Sequence, residues 1–317
     1  MAIPVTDAMS RKTVNLDISA MIVGAEKAGT SALIAHLGSF QKIHIPMASG
    51  SQLDLEFASE FPHFLSDNNN RVRDLNELLR QSLPRDFDPV QHYIVAKNVG
   101  LCTDRAAMGR LNAHSPGVKV VFLLREPISR AMSSHRYQLF RGAEKEADFS
   151  RAAEECLEDL RITDRHIDYL RRGLYARQVA DLIEEFGTSN CLFLRFEDIV
   201  GDSADGLSRV CDFIGLESAP SGNVEKVNAA KEPRSLVLAA LLYRENAAKR
   251  LLRRLLPLQA RVRLTSTFRR LNSRSASLKT SSAMTSKTKA RLRAYFREDL
   301  ARTESLTGLN LLKSWEY

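Results

Sequence analysis

Met21-Ile22-Val23-Gly24-Ala25-Glu26-Lys27-Ala28-Gly29-Thr30-Ser31 runs from an apolar strand through a turn of small residues into the start of a helix. That succession aims backbone N–H groups and the positive end of a helix dipole at one point, which suits a bound phosphate or sulfate. Gly24 and Gly29 let the backbone come close, and Ala28 keeps the turn small. Lys27 supplies a point charge, while Thr30 and Ser31 can donate hydroxyl hydrogen bonds or cap the helix. A nucleotide-triphosphatase loop would read G-x-x-x-x-G-K-[ST], whereas here Thr30 follows Gly29 and the lysine stands inside the loop. The loop therefore offers no evident magnesium ligand, no apolar strand ending in an acidic residue serves as its distant partner, and no metal is expected.

A second run, Val120-Val121-Phe122-Leu123-Leu124-Arg125-Glu126-Pro127-Ile128-Ser129-Arg130-Ala131-Met132-Ser133-Ser134, is a buried strand that delivers Arg125 at its C-terminal end and opens a helix at Pro127. Proline suits the first helical turn, where its missing N–H is not needed. Helical periodicity returns the Ser133 hydroxyl toward whatever Arg125 holds. In an open parallel sheet ligands sit beyond the carboxyl ends of the strands, so the two runs can converge on one molecule.

K-x-G-T-[ST] followed by L-R-x-P-x-x-R-A-x-S resembles the sulfotransferases that use 3′-phosphoadenosine 5′-phosphosulfate (PAPS), bacterial and carbohydrate members above all. The resemblance implies that Lys27, Ala28, Gly29, Thr30 and Ser31 hold the 5′-phosphosulfate and that Arg125 and Ser133 hold the 3′-phosphate. The sulfuryl group would pass to a hydroxyl of an acceptor, a carbohydrate or glycolipid, leaving 3′-phosphoadenosine 5′-phosphate (PAP). Arg172-Gly173-Leu174-Tyr175, Leu192–Asp198, Val210–Leu216 and Leu309–Trp315 are also similar to family patterns and extend the likeness over most of the chain. Glu197 and Asp198 read as structural hydrogen-bonding residues, and Phe213, Leu216 and Trp315 as core.

Sulfuryl transfer, like phosphoryl transfer, is an in-line displacement governed by positioning and by stabilisation of the leaving oxygen, a role that fits Lys27. Lys97, at the end of Tyr93-Ile94-Val95-Ala96-Lys97, stands where family members carry a lysine near the transferred group; its other reading is a strand end at the surface. A general base must also take the acceptor's proton. Here the chain departs from the pattern: Ser51-Gln52-Leu53-Asp54-Leu55-Glu56-Phe57 places Gln52 where one alignment puts the base. A second alignment makes Asp54 the carboxylate, and Glu56 shares its side of an extended chain. The order of candidates is Asp54, Glu56, then a histidine such as His135 or His36.

The elements that must position these groups alternate short apolar runs with amphipathic stretches, the pattern of an α/β fold: P-loop-like, three-layered, a central parallel sheet flanked by helices. Strands are expected at Ala20–Gly24, Ile43–Ile45, Tyr93–Lys97, Val118–Leu124 and Cys191–Phe196. Helices are expected at Thr30–Ser39, Asp74–Ser82, Thr103–Asn112, Pro127–Arg141, Ser150–Leu160, Tyr175–Phe186, Ala204–Ile214, Ser235–Leu255 and Ser286–Leu306, with Leu271–Ser286 a loop. A chain of 317 residues with this pattern reads as one domain, residues 1–317: a mixed α/β core over about 18–217 and a helical basic part over about 224–317, parted near Ser218–Asn223.

Charge marks the second part. Between Lys231 and Arg297 stand 18 Lys/Arg against Glu232 and Glu245, a local net of +16 where the whole chain carries +8, so the remainder is net acidic. Such a region either meets something anionic or is a solvated face. Leu236–Leu256 reads as an amphipathic basic helix, either packed on the domain or resting on an anionic membrane to collect a lipid-linked acceptor. Nucleic acid is not expected, because the basic residues lack interleaved aromatics. Cys102, Cys156, Cys191 and Cys211 show no C-x-x-C pairing and read as buried thiols of a reducing compartment. The first twenty residues resemble neither a signal nor a transit peptide, and a cytoplasmic enzyme is expected. Rival readings are a P-loop-type nucleotide-dependent kinase, which would need magnesium and prefer ATP, and a catalytically inactive donor-binding module.

Overall fold

The computed structural model describes residues 16–46, 61, 64, 75–84, 86–160, 168–200, 205–216, 231–233, 273–275 and 284–317. Its centre is a sheet of five parallel strands: β1 (Ala20–Gly24), β2 (Ile43–His44), β3 (Tyr93–Lys97), β4 (Lys119–Leu124) and β5 (Cys191–Arg195), ordered β2-β3-β1-β4-β5. The register sets Ala20 opposite Val95 on one side and opposite Lys119 on the other. β1 has no polar side chain and is buried throughout, as a central parallel strand covered on both faces must be. Because β1 is first in sequence yet lies between β3 and β4, the winding reverses around it. The carboxyl ends of β3, β1 and β4 therefore form the rim where such sheets take ligands.

Helices flank this sheet within a few residues of the expected bounds: Thr30–Leu37, Leu75–Ser82, Arg105–His114, Pro127–Phe140, Phe149–Leu157, Ala176–Phe186, Asp205–Ile214 and Ser286–Thr307. Pro127 starts its helix at the first turn, and the Glu126 carboxylate accepts from Ile128 N at 2.9 Å and Ser129 N at 2.6 Å, satisfying two donors the helix leaves open. The helix Ser286–Thr307 buries Leu292, Phe296 and Leu300, one face at four-residue spacing, and packs on the helix Ala176–Phe186. Gly308, at φ +70°, ends it in the left-handed conformation that an L side chain resists.

Two expectations are corrected. β5 stops at Arg195, and Phe196–Val200 is a short helix instead of strand and exit: Asp198 accepts from Arg195 N at 2.9 Å and chelates its guanidinium, the reach-back of a capping box. The expected loop Leu271–Ser286 contains a strand, Ser273–Ser275, antiparallel to Lys231–Pro233, so the C-terminal part is not purely helical. Pairing across that sequence distance leaves no local periodicity to read. The expected helix Ser235–Leu255 and the boundary Ser218–Asn223 lie outside the described residues. Cys102, Cys156 and Cys211 are buried thiols, while Cys191 is half-buried. Burial pushes the Cys191 thiol up to about 12, and burial with Asp212 nearby pushes Cys211 up to about 11, which keeps both protonated. Among the described residues no helix is long and apolar enough to cross a membrane.

Candidate active site

β1 ends at Gly24, and the next five residues turn the chain into the helix Thr30–Leu37. Ala25 N donates to Leu123 O at 2.7 Å and so ties the turn to β4. Lys27 and Gly29 both take positive φ, +67° and +87°. Gly29 is required twice over: a left-handed backbone disfavours a side chain, and a Cβ there would meet Phe196 Cδ2 at 2.8 Å. Among the described residues no side chain caps this helix; Ala32 N donates to Gly29 O at 2.9 Å, and the helix start ahead of it has the form that suits an anion. Ala28 and Thr30 are buried in the turn's wall, and Ser31 is half-buried.

Two neighbouring strands bring their terminal side chains to this loop. Lys97 ends β3 and is only 1% exposed, which overturns the surface reading; its ammonium donates to Ser31 Oγ at 3.1 Å. An ammonium taken out of water needs oxygen partners, and the loop is where this lysine finds one. Arg125 follows β4, donates from Nη1 to Lys27 O at 2.9 Å, and lies with Cζ 4.6 Å from the centre of the Phe196 ring. Lys27 extends its ammonium over the face of Tyr137, 4.0 Å from the ring centre. Ser133 is four residues before Tyr137 on the same helix, so both belong to the face turned toward the loop.

Positive charge gathers at this rim. Burial pulls the Arg125 guanidinium below its ordinary value, against the favourable charges of Glu197 and Glu126. Arg130 is fully buried, and burial pulls it down likewise; its Nη2 donates to Tyr169 O while Nε and Nη1 have no hydrogen-bond partner among the described residues. The one carboxylate in the loop, Glu26, pairs with Arg172. Burial would raise Glu26, but Arg172, Arg130 and Lys27 outweigh it and hold the carboxyl below its usual value.

Of the site residues expected from sequence, the structure brings together Lys27, Ala28, Gly29, Thr30, Ser31, Lys97 and Arg125, with Ser133 on the adjoining helix. Asp54 and Glu56 lie outside the described residues. His135 is 2% exposed, with Nε2 at 2.8 Å from Glu146 O and its ring against Phe149 and Tyr169, so it is a packing residue and not a base for an incoming hydroxyl. Glu197 and Asp198 are structural: Trp315 Nε1 donates to Glu197 at 3.4 Å, and Asp198 holds Arg195. Sequence reasoning missed Tyr137, Phe196 and the Glu26–Arg172 pair. The spacing of Tyr137 from Ser133 was a usable signal, whereas the other two depend on contacts between distant segments.

A loop at the end of the central strand, a buried lysine from one neighbour and an arginine from the other define an α/β protein of P-loop-like build with a cationic rim. This chain belongs to the sulfotransferase family, whose model matches residues 20–220. It is 29% identical over 213 residues to human heparan sulfate glucosamine 3-O-sulfotransferase 6, a stretch covering 67% of this chain and 56% of that protein. It is 26% identical over 202 residues to human heparan sulfate glucosamine 3-O-sulfotransferase 3B1, covering 62% and 46%. The chain thus spans about half the length of these curated relatives. A sulfotransferase from Alicyclobacillus acidocaldarius has the same fold, with a TM-score of 0.60 at 20% identity over 95% of this chain and 99% of that one.

Proposed function

We propose that this chain transfers a sulfuryl group from PAPS to a hydroxyl of a carbohydrate. The observation that carries the reading is the convergence of three adjacent strand ends on one rim: the β1 loop, Lys97 from β3 and Arg125 from β4. The donor is anionic at both ends, and the rim offers a cationic group for each. The loop amides with Lys27 and Ser31 suit the phosphosulfate. Arg125 and the Ser133 hydroxyl suit the 3′-phosphate, the feature that separates this donor from ATP. The buried guanidinium of Arg125, its charge met only in part by Glu197 and Glu126, fits an anionic ligand.

In this reading the acceptor oxygen forms its bond to sulfur as the bond from sulfur to the phosphate oxygen breaks. Lys27 and Lys97 stabilise the charge that develops on the leaving and transferring oxygens, an interaction stronger in the transition state than before it. Asp54, or Glu56 after it, takes the acceptor's proton. Carbohydrate as acceptor follows from the relatives, which are named for heparan sulfate. The family match favours sulfuryl over phosphoryl transfer and over an inactive module.

Titration calorimetry tests the donor. PAP is expected to bind at least tenfold more tightly than ATP, with or without magnesium, since each charge-assisted bond to the extra phosphate contributes about 1.5–3 kcal/mol. Magnesium-dependent preference for ATP would restore the kinase reading.

A further inference from the structure

Behind the two segments assigned to the donor lies a turn that touches both. Arg172 pairs with Glu26, the residue before Lys27. Tyr175, fully buried, donates from its hydroxyl to the carbonyl of Arg125 at 2.7 Å. Between them Gly173 fits so closely that a Cβ would come within 3.1 Å of Phe296 Cε1 and 3.3 Å of Pro127 Cβ. The turn is itself anchored: Asp299 on the helix Ser286–Thr307 accepts from Tyr175 N at 2.6 Å and Ala176 N at 3.3 Å. A single short segment thus grips the β1 loop, the end of β4 and the C-terminal helix.

We propose that Arg172 and Tyr175 are positioning residues, a strut that sets the β1 loop against Arg125 and keeps Glu26 from competing for Lys27. The inference rests on the donor reading above. Lys27 holds a left-handed backbone that a side-chain-bearing residue keeps only under outside constraint. Arg125 constrains it from the carbonyl side, and Arg172 constrains the preceding residue. The pairing also has an electrostatic consequence. Glu26 is a carboxylate inside an anion-binding loop, in the field of Arg172, Arg130 and Lys27. With Arg172 removed, the cations left in the field of the carboxylate are Arg130 and Lys27, the second being the ammonium assigned to the donor.

The test is PAP calorimetry on the full chain with near-UV circular dichroism to confirm folding. Arg172→Gln is expected to weaken PAP roughly tenfold, and Glu26→Gln/Arg172→Gln to recover to within roughly threefold of wild type, because no carboxylate then diverts Lys27. A purely structural strut would leave the double variant at least as weak as the single one, and that result overturns the electrostatic role. Arg105→Gln, which removes an exposed ion pair with Asp181 and Glu184, serves as the control and should bind PAP normally. Should Arg172→Gln not fold, Arg172→Lys keeps the charge without the fork and is expected to be intermediate; wild-type affinity there overturns the proposal. Tyr175→Phe should weaken PAP roughly threefold and leave AMP unchanged, since only PAP carries the phosphate assigned to Arg125; an unaltered PAP-to-AMP ratio removes Tyr175 from the strut. A wild-type chain that binds no PAP overturns the donor reading itself, whereas wild-type binding with Arg172→Gln unaffected overturns the strut alone.

Discussion

Gly29→Ala should strike both segments proposed to bind the donor at once. The residue sits at φ +87°, where alanine is disfavoured by roughly 1–2 kcal/mol. Its new Cβ would lie 2.8 Å from Phe196 Cδ2 and 3.0 Å from Cε2, distances that force the ring to move, an overpacking of roughly 1–3 kcal/mol. Phe196 is the platform under the Arg125 guanidinium, whose Cζ lies 4.6 Å from the ring centre. Displacing it gives up a cation–π contact worth about 1–2 kcal/mol when desolvated, or roughly 5- to 30-fold in affinity for a ligand that Arg125 holds. The assay is PAP calorimetry with thermal unfolding, against Gly117→Ala as control. Gly117 has a similar φ of +80° but open space where its Cβ would go, so it pays the backbone term only. Gly29→Ala is expected to lower the midpoint by roughly 5 °C or more and to weaken PAP about tenfold; Gly117→Ala should lose less stability and no affinity. If the two variants melted alike and bound PAP alike, the link from Gly29 through Phe196 to Arg125 would be refuted.

Lys97→Met keeps the buried stem and removes the ammonium, so turnover should fall roughly 10²–10³-fold with PAP affinity nearly intact; steady-state rates beside calorimetry check this, and preserved turnover would remove Lys97 from the chemistry. Asp54→Asn should cut turnover roughly 10²–10⁴-fold without loss of donor binding; full activity there, with loss in Glu56→Gln, reverses the order of the two carboxylates. The ion pairs that hold Glu26 below its ordinary value stabilise the fold above the usual carboxylate range, and that contribution disappears as pH falls through the depressed value. Urea melts between about pH 3 and pH 6 should therefore show a shallower acid loss in Glu26→Gln than in wild type; parallel acid limbs would contradict the pairing.

Much of the fold was legible because its signals are local. The apolar runs of β1, β3, β4 and β5 could be read within a residue or two, since buried parallel strands are short and uninterrupted. Pro127 and Gly29 announced a helix start and a tight turn by their own stereochemistry. The short helix Phe196–Val200 was missed because Asp198 overrides a strand-like run by one reach-back hydrogen bond. The pairing of Lys231–Pro233 with Ser273–Ser275 was missed because its partners are far apart in sequence.

The candidate-site residues divide along the same line. Residue types and spacing alone determined the strand-turn-helix loop, the strand that presents Arg125 and the helix that carries Ser133, because each is a property of a contiguous segment. Only the tertiary structure decided that Lys97 is buried against Ser31, that Phe196 lies under Arg125, and that Arg172 answers Glu26. Those contacts join segments brought together by the strand order β3-β1-β4, and the sheet, not the sequence neighbourhood, sets which charges meet.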